Sequence, residues 1–198
     1  VASSPYPVHV HHRGTPLEEP MPAAKIAVSW LYSQIIDSVD LTRFPVGVLN
    51  MHGGILPGYR GANVLNWAIA NGEPEIGVTW HGLVEAVDAG PIYGESRVPV
   101  GADETAWDAR SRMIEEGLRL FPQAWRRMVE GAQPVRLFDL DQGRIWPSRR
   151  PYHGRIKPGW SASRLRNLIR AQCPPWPPAT IERDGADVPV RALTDDPG

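Results

Sequence analysis

The stretch Val46-Gly47-Val48-Leu49-Asn50-Met51-His52-Gly53-Gly54-Ile55-Leu56-Pro57-Gly58-Tyr59-Arg60-Gly61 decides how this chain is read. Val46 to Asn50 is a short apolar run, bounded by Pro45 before it and Gly53-Gly54 after it. Such a run between breakers predicts a buried β-strand. Asn50 and His52 stand two residues apart where that strand ends. Side chains repeat every two residues along a strand, so both can point to the same side. In open α/β sheets the carboxyl ends of strands are where ligands bind. The glycines that follow let the backbone turn tightly and approach a ligand. An amide and an imidazole at such a place suit acyl transfer: the amide can hold a developing oxyanion, and the imidazole can move a proton or share the negative charge. Taken alone, an Asn-x-His pair is more often a turn cap and a hydrogen-bonded histidine than a reacting pair.

Outward from this strand the chain alternates strands and helices. Lys25 to Trp30 and Ile76 to His81 read as buried strands, and Ile92 to Val100 as a fourth. Leu31 to Ile36 predicts a turn or short helix. Asn63 to Asn71 predicts a helix ended by Gly72 and Pro74. A long helix is expected from Thr105 to Glu130, with Asp103 or Glu104 as its cap and Gly131 as its stop. Met113, Leu118, Phe121 and Trp125 would be its core-facing residues. After residue 133 loops dominate, then a short amphipathic helix runs from Ser161 to Ala171 and stops at a Pro-rich turn. Two short strands are expected around Ala179–Arg183 and Val188–Leu193. The alternation indicates an α/β sheet. The domain reading is a Pro-rich irregular leader over 1–24, a catalytic core over 25–133, and an extension packed on it over 134–198.

Asp88 lies in Val87-Asp88-Ala89-Gly90-Pro91-Ile92, a loop between two expected strands. A carboxylate there can accept a proton, or hold His52 in one tautomer and raise its pKa. A plain turn aspartate before glycine is the alternative. Composition narrows the class. The 198 residues carry a net charge of −1, with 42% hydrophobic and 22% charged residues. No global field favours nucleic acid or an anionic membrane. A single cysteine excludes an internal disulfide. No apolar run suggests a membrane span and no leader resembles a signal peptide, so the cytoplasm is the expected location. His9, His11 and His12 lack Cys, Asp or Glu at a zinc-ligand spacing, and a solvated segment is the reading there.

The stretch Asn50 to Gly61 resembles the signature of the 10-formyltetrahydrofolate-dependent formyltransferases: Asn, any residue, His, a few residues, then Leu-Pro and Arg-Gly. Val64-Leu65-Asn66-Trp67-Ala68-Ile69, Gly77-Val78-Thr79-Trp80-His81 and Asp88-Ala89-Gly90-Pro91-Ile92 follow in that family's order. The resemblance implies a partial doubly wound, Rossmann-like sheet. It implies transfer of a formyl group from 10-formyltetrahydrofolate to a primary amine by direct attack, without a metal. Asn50 and His52 would hold the oxyanion and Asp88 would help remove the amine proton. Leu31, Tyr32, Val84 and Val87 would bound the folate, with His81 and Arg60 on the substrate side. Ser29-Trp30-Leu31-Tyr32, Thr79-Trp80-His81 and the tail beyond Arg149 resemble the branch acting on nucleotide-linked amino sugars. The eight Lys or Arg residues from Arg144 to Arg170 read first as a solvated basic face, with contact to a nucleotide diphosphate as the alternative. A homodimer is compatible with this reading. The alternatives are a methionyl-tRNA formyltransferase, a formyltetrahydrofolate hydrolase relative, or a folate-binding remnant without catalysis. The chain departs from the family pattern at Gly54, where serine is usual, and at Pro178, where glycine is common; relatives also carry βα units ahead of the first strand read here, so a fragment, a miscalled start and a naturally short form are all open readings.

Overall fold

The computed structural model describes residues 24–32 and 35–193. The leader and its histidine cluster lie outside them. The central sheet is built from β1 (Ile26–Trp30), β2 (Gly47–His52), β4 (Glu75–Gly82) and β5 (Ile92–Pro99), in the order β1-β2-β4-β5. The strand β3 (Arg60–Gly61) belongs to a separate two-stranded ladder. The helices are α1 (Ser38–Thr42), α2 (Val64–Asn71), α3 (Ala106–Val129) and α4 (Ala162–Ala171). The short β6 (Ile145–Trp146) pairs with β3, and β7 (Ala179–Arg183) with β8 (Ala186–Val190) forms a closing hairpin.

Within the central sheet, β1 and β2 run parallel. β4 lies antiparallel to both β2 and β5, so the Rossmann-like sheet is mixed rather than wholly parallel. The register sets Asn50 opposite His81 and His52 opposite Thr79. Alternation along each strand then sorts the side chains. Leu49, Met51, Val78 and Trp80 belong to the apolar core with Ala109, Met113, Leu120 and Ala124 of α3. Asn50, His52, Thr79 and His81 take the alternate positions, and all four are buried. Both faces of β2 and β4 are therefore covered, which is why their sequences read as continuous apolar runs.

Helix α3 lies over β5 and β4. Gly117 brings its backbone close to the sheet: a Cβ there would meet the Met51 side chain at 2.5 Å. Trp80 uses that approach, donating its indole N–H to the Gly117 carbonyl at 2.8 Å. Leu118, expected in the core, is 55% exposed; Gly117 and Leu120 hold the inward positions beside it. The helix begins one residue later than an Asp103 or Glu104 cap implies. Thr105 is the N-cap, with Asp108 completing a reciprocal capping box. Leu31 takes a left-handed φ of 46° and so does not open a helix. Instead α1 starts at Ser38, where the Asp37 carboxylate accepts from the Asp40 N–H. In the last hairpin, Asp184 and Gly185 both have positive φ. This tight turn starts β8 at Ala186, ahead of the expected Val188.

The segment after α3 is fastened to the core at several points. Trp146 stacks on Tyr59 and donates its indole N–H to the Gly58 carbonyl. Trp67 donates to the Pro147 carbonyl and carries the Arg149 guanidinium over its ring. Asn66, buried in α2, donates to the Ala171 carbonyl at the end of α4. Trp80 is fully buried between sheet and α3. Trp80→Ala is expected to cost about 3–5 kcal/mol of stability, measured by urea unfolding, through the cavity and the lost bond to Gly117.

Candidate active site

Three elements converge on one polar cluster. β2 supplies Asn50 and His52, β4 supplies Thr79 and His81, and the loop between β4 and β5 supplies Asp88. That loop returns to the sheet because Gly90 lies against Gly82, where a Cβ would sit 1.8 Å from the Gly82 carbonyl oxygen. Asp88 itself takes a left-handed φ of 46°.

The Asn50 side-chain amide donates to His81 Nε2 at 3.0 Å, and His81 Nδ1 lies 3.0 Å from the Gly82 carbonyl. A carbonyl only accepts, so this assigns the His81 proton to Nδ1 and leaves Nε2 to accept from Asn50. One Asn50 N–H is thereby fixed, and the second is not used within this pair. His81, expected on the substrate side, is fully buried and stands behind Asn50 as its support.

His52 Nε2 lies 2.5 Å from the Tyr59 carbonyl and donates to it. Its Nδ1 faces the Asp88 Oδ2 at 3.6 Å, beyond hydrogen-bond reach. Burial holds the His52 pKa below its ordinary 6.5, against the opposing pull of Asp88. Asp88 was expected to raise it, and it does pull that way, but desolvation wins. His52 is therefore neutral at pH 7, with a lone pair on Nδ1. Burial alone would raise the Asp88 pKa, but the facing His81 and His52 imidazoles and the Gly61 N–H bring it down to about 2. The Gly61 N–H donates to Oδ2 at 2.7 Å, and Oδ1 lies 3.5 Å from His81 Nε2. Two acceptors, the Asp88 carboxylate and the His52 lone pair, thus face each other across a short gap next to an amide donor. Two acceptors this close are bridged by a group that lies beside them and brings protons of its own, such as an amine.

Gly54 stands where a serine is usual in the resembling family. A Cβ there would lie 2.8 Å from the Tyr59 carbonyl oxygen and 3.0 Å from His52 Nε2. The glycine leaves room for the bond that orients His52. Thr79 holds the same turn from β4, its hydroxyl donating to the Gly54 carbonyl at 2.7 Å. Neither Thr79 nor the Tyr59 carbonyl was singled out from the sequence for this role. The position of Thr79 opposite His52 is the signal that could have found it.

Of the residues expected around a folate, Leu31 follows β1 at the sheet end where β2 closes with Met51 and His52. Val84 and Val87 lie in the Asp88 loop, 42% and 46% exposed. Arg60 is not turned to a substrate: it is 4% exposed and donates to the Val87 and Leu140 carbonyls. Several tail cations are also engaged internally. Arg155 pairs with Glu182 and Asp187, Arg170 donates to the Gly101 and Glu104 carbonyls, and Arg144 and Arg164 lie over Trp146 and Trp160. Among the described residues, no group of three or more His, Cys, Asp or Glu is placed to hold a metal ion, and no helix is long and apolar enough to cross a membrane.

A family model described as formyl transferase matches residues 20–125. Solved structures agree at the level of the fold. A 4-N formyltransferase from Francisella tularensis superimposes with a TM-score of 0.73 at 20% identity, over 87% of this chain and 72% of that one. A sugar N-formyltransferase from Shewanella sp. gives 0.72 at 21% identity, over 86% and 70%. WlaRD, a sugar 3N-formyl transferase studied with dTDP and 5-N-formyl-THF, gives 0.62 at 23% identity, over 73% and 52%.

The depressed pKa of Asp88 is linked to stability. A carboxylate held at about 2 against an ordinary 3.8 contributes about 2 kcal/mol that is fully present above pH 3.8 and lost as pH falls towards 2. His52, with its lowered pKa, adds a loss that begins below its ordinary 6.5. Urea midpoints are expected to fall on acidification from about pH 6.5. In Asp88→Asn the part of that fall between about pH 4 and 2 should be flattened, and an unchanged slope there would contradict the assignment.

Proposed function

Since the chain belongs to the formyl transferase family, we propose that it moves the formyl group of 10-formyltetrahydrofolate to the primary amine of a nucleotide-linked amino sugar. The observation that carries this reading is the gap between two proton acceptors, His52 Nδ1 and Asp88, beside the Asn50 amide. The sugar acceptor is supported by the fold shared with sugar N-formyltransferases, one of them studied with dTDP and a formylated folate.

The donor lies along Leu31, Tyr32, Val84 and Val87, with its formyl carbon presented to Asn50. The neutral amine lies beside the His52–Asp88 pair, within reach of both acceptors, and attacks that carbon, forming the new C–N bond. Negative charge grows on the formyl oxygen, and the second N–H of Asn50 donates to it. This bond strengthens as the charge develops and so favours the transition state over the ground state. The amine becomes acidic once it carries four bonds, and its proton passes to His52 Nδ1 or the Asp88 carboxylate. A protonated His52 is stabilised by Asp88 and adds positive charge near the oxyanion. Collapse breaks the bond to the folate nitrogen, which leaves with a proton returned from the same pair. Burial of His52 has a purpose in this sequence: a histidine already charged at pH 7 could not take the amine proton.

The test is incubation with 10-formyltetrahydrofolate and a panel of dTDP-linked 3-amino and 4-amino sugars, following release of tetrahydrofolate. Absence of turnover with every amine would sink the transfer reading, and formate release without an amine would assign hydrolysis instead. Asn50→Ala is expected to lower kcat by about 10²–10³ while the KM for the folate stays near its original value. A KM rise with kcat unchanged would mean that Asn50 binds the donor and does not stabilise the transition state.

A further inference from the structure

Arg60 and Gly61 take no part in the chemistry above, yet both touch the loop that carries Asp88. The Arg60 guanidinium donates twice to the Val87 carbonyl, from Nε at 3.0 Å and Nη2 at 2.8 Å. Nη1 donates to the Leu140 carbonyl at 3.1 Å. The next residue, Gly61, gives its N–H to the Asp88 carboxylate. One dipeptide thus holds both the peptide before Asp88 and the Asp88 side chain. Its own backbone is anchored from behind. The Arg60 N–H donates to the Arg144 carbonyl and the Ala62 N–H to the Trp146 carbonyl, across the β3–β6 ladder. Gly61 has a φ of +98°, and a Cβ on it would meet the Trp146 carbonyl oxygen at 2.2 Å.

The loop needs such an anchor. Asp88 is a non-glycine residue in the left-handed region, a conformation that persists only where its surroundings impose it. Its neighbours Val84 and Val87 are half exposed and hold it with little packing. A buried cation with no carboxylate partner among its bonds is costly unless its donors are used, and here they are spent on carbonyls. Only a planar fork with several donors can grip one carbonyl twice and reach a second.

We infer that Arg60 is a positioning residue: by pinning the Val87 carbonyl it sets the Asp88 carboxylate onto the Gly61 N–H, between His52 of β2 and His81 of β4. This rests on the proposed transfer reaction for its catalytic consequence, but the geometry it asserts is measurable without turnover. The charged or titratable groups facing Asp88 are His52 and His81, and those facing His52 are Asp88 and His81. The carboxylate pulls the His52 pKa upward, so a loosened loop lets it fall further.

The experiment follows His52 in the free protein by NMR titration of its imidazole, alongside kcat with the amino-sugar acceptor. Arg60→Ala is expected to move the His52 titration to lower pH, in the same direction as Asp88→Asn and by no more. It should lower kcat by about 10²-fold, the scale of a displaced catalytic group. The double variant should lose no more than Asp88→Asn alone, since both changes remove one interaction. An unmoved His52 titration in Arg60→Ala, or losses that simply add, overturns the proposal. Should Arg60→Ala fail to fold, Arg60→Lys decides: one nitrogen in place of the three that donate should give a smaller shift of the same sign, and no shift overturns the proposal equally. If the unaltered protein transfers formyl to no amine, the functional reading falls while the titration still judges the role of Arg60.

Discussion

The antiparallel pairing of β2 with β4, in the register that sets Asn50 opposite His81 and His52 opposite Thr79, is the constraint on which the site depends. It places four polar side chains on one face of two buried strands. Buried polar groups must find partners, because an unmet donor or acceptor costs more than a typical hydrogen bond returns. The cluster meets that demand locally: Asn50 with His81, His81 with the Gly82 carbonyl, His52 with the Tyr59 carbonyl, Thr79 with the Gly54 carbonyl. Each bond also fixes an orientation. A one-residue slip in this register would turn the polar set into the α3 interface and Trp80 out of it.

The same burial sets the electrostatics. Away from water, His52 resists protonation even with Asp88 nearby, while Asp88 stays ionised, holding the Gly61 N–H. A neutral base beside a carboxylate is an arrangement ready to accept a proton and then to stabilise the cation that results. Water would blunt both effects. The nine-residue connection between β4 and β5 carries both the Asp88 carboxylate and two half-exposed valines, Val84 and Val87.

Much of this was legible from residue order. The apolar run ending in Asn50-Met51-His52, the glycines after it and the Asp88 loop pointed to the strand, the turn and the three polar side chains that the fold brings together. The misses have physical causes. Leu118 looked inward by spacing, but α3 packs on the sheet through Gly117, and a missing side chain leaves no mark in an apolar pattern. Thr105 was passed over as a cap because two acids precede it; the reciprocal bond with Asp108 decides the start. Arg60 looked like a substrate ligand because it is charged and lies in the signature block, yet its donors are taken by two carbonyls distant in sequence.

By itself, then, the sequence determined which residue types sit at strand ends and in what order, because period-two alternation and glycine or proline breaks are local properties of the chain. Tertiary structure alone decided which of those residues meet. The direction of β4, the support of Asn50 by His81, the Tyr59 carbonyl on His52 and the grip of Arg60-Gly61 on Asp88 all join positions far apart along the chain. Such contacts depend on how strands pair and loops return, and hydrogen bonds to backbone carbonyls leave no residue-type signal to read.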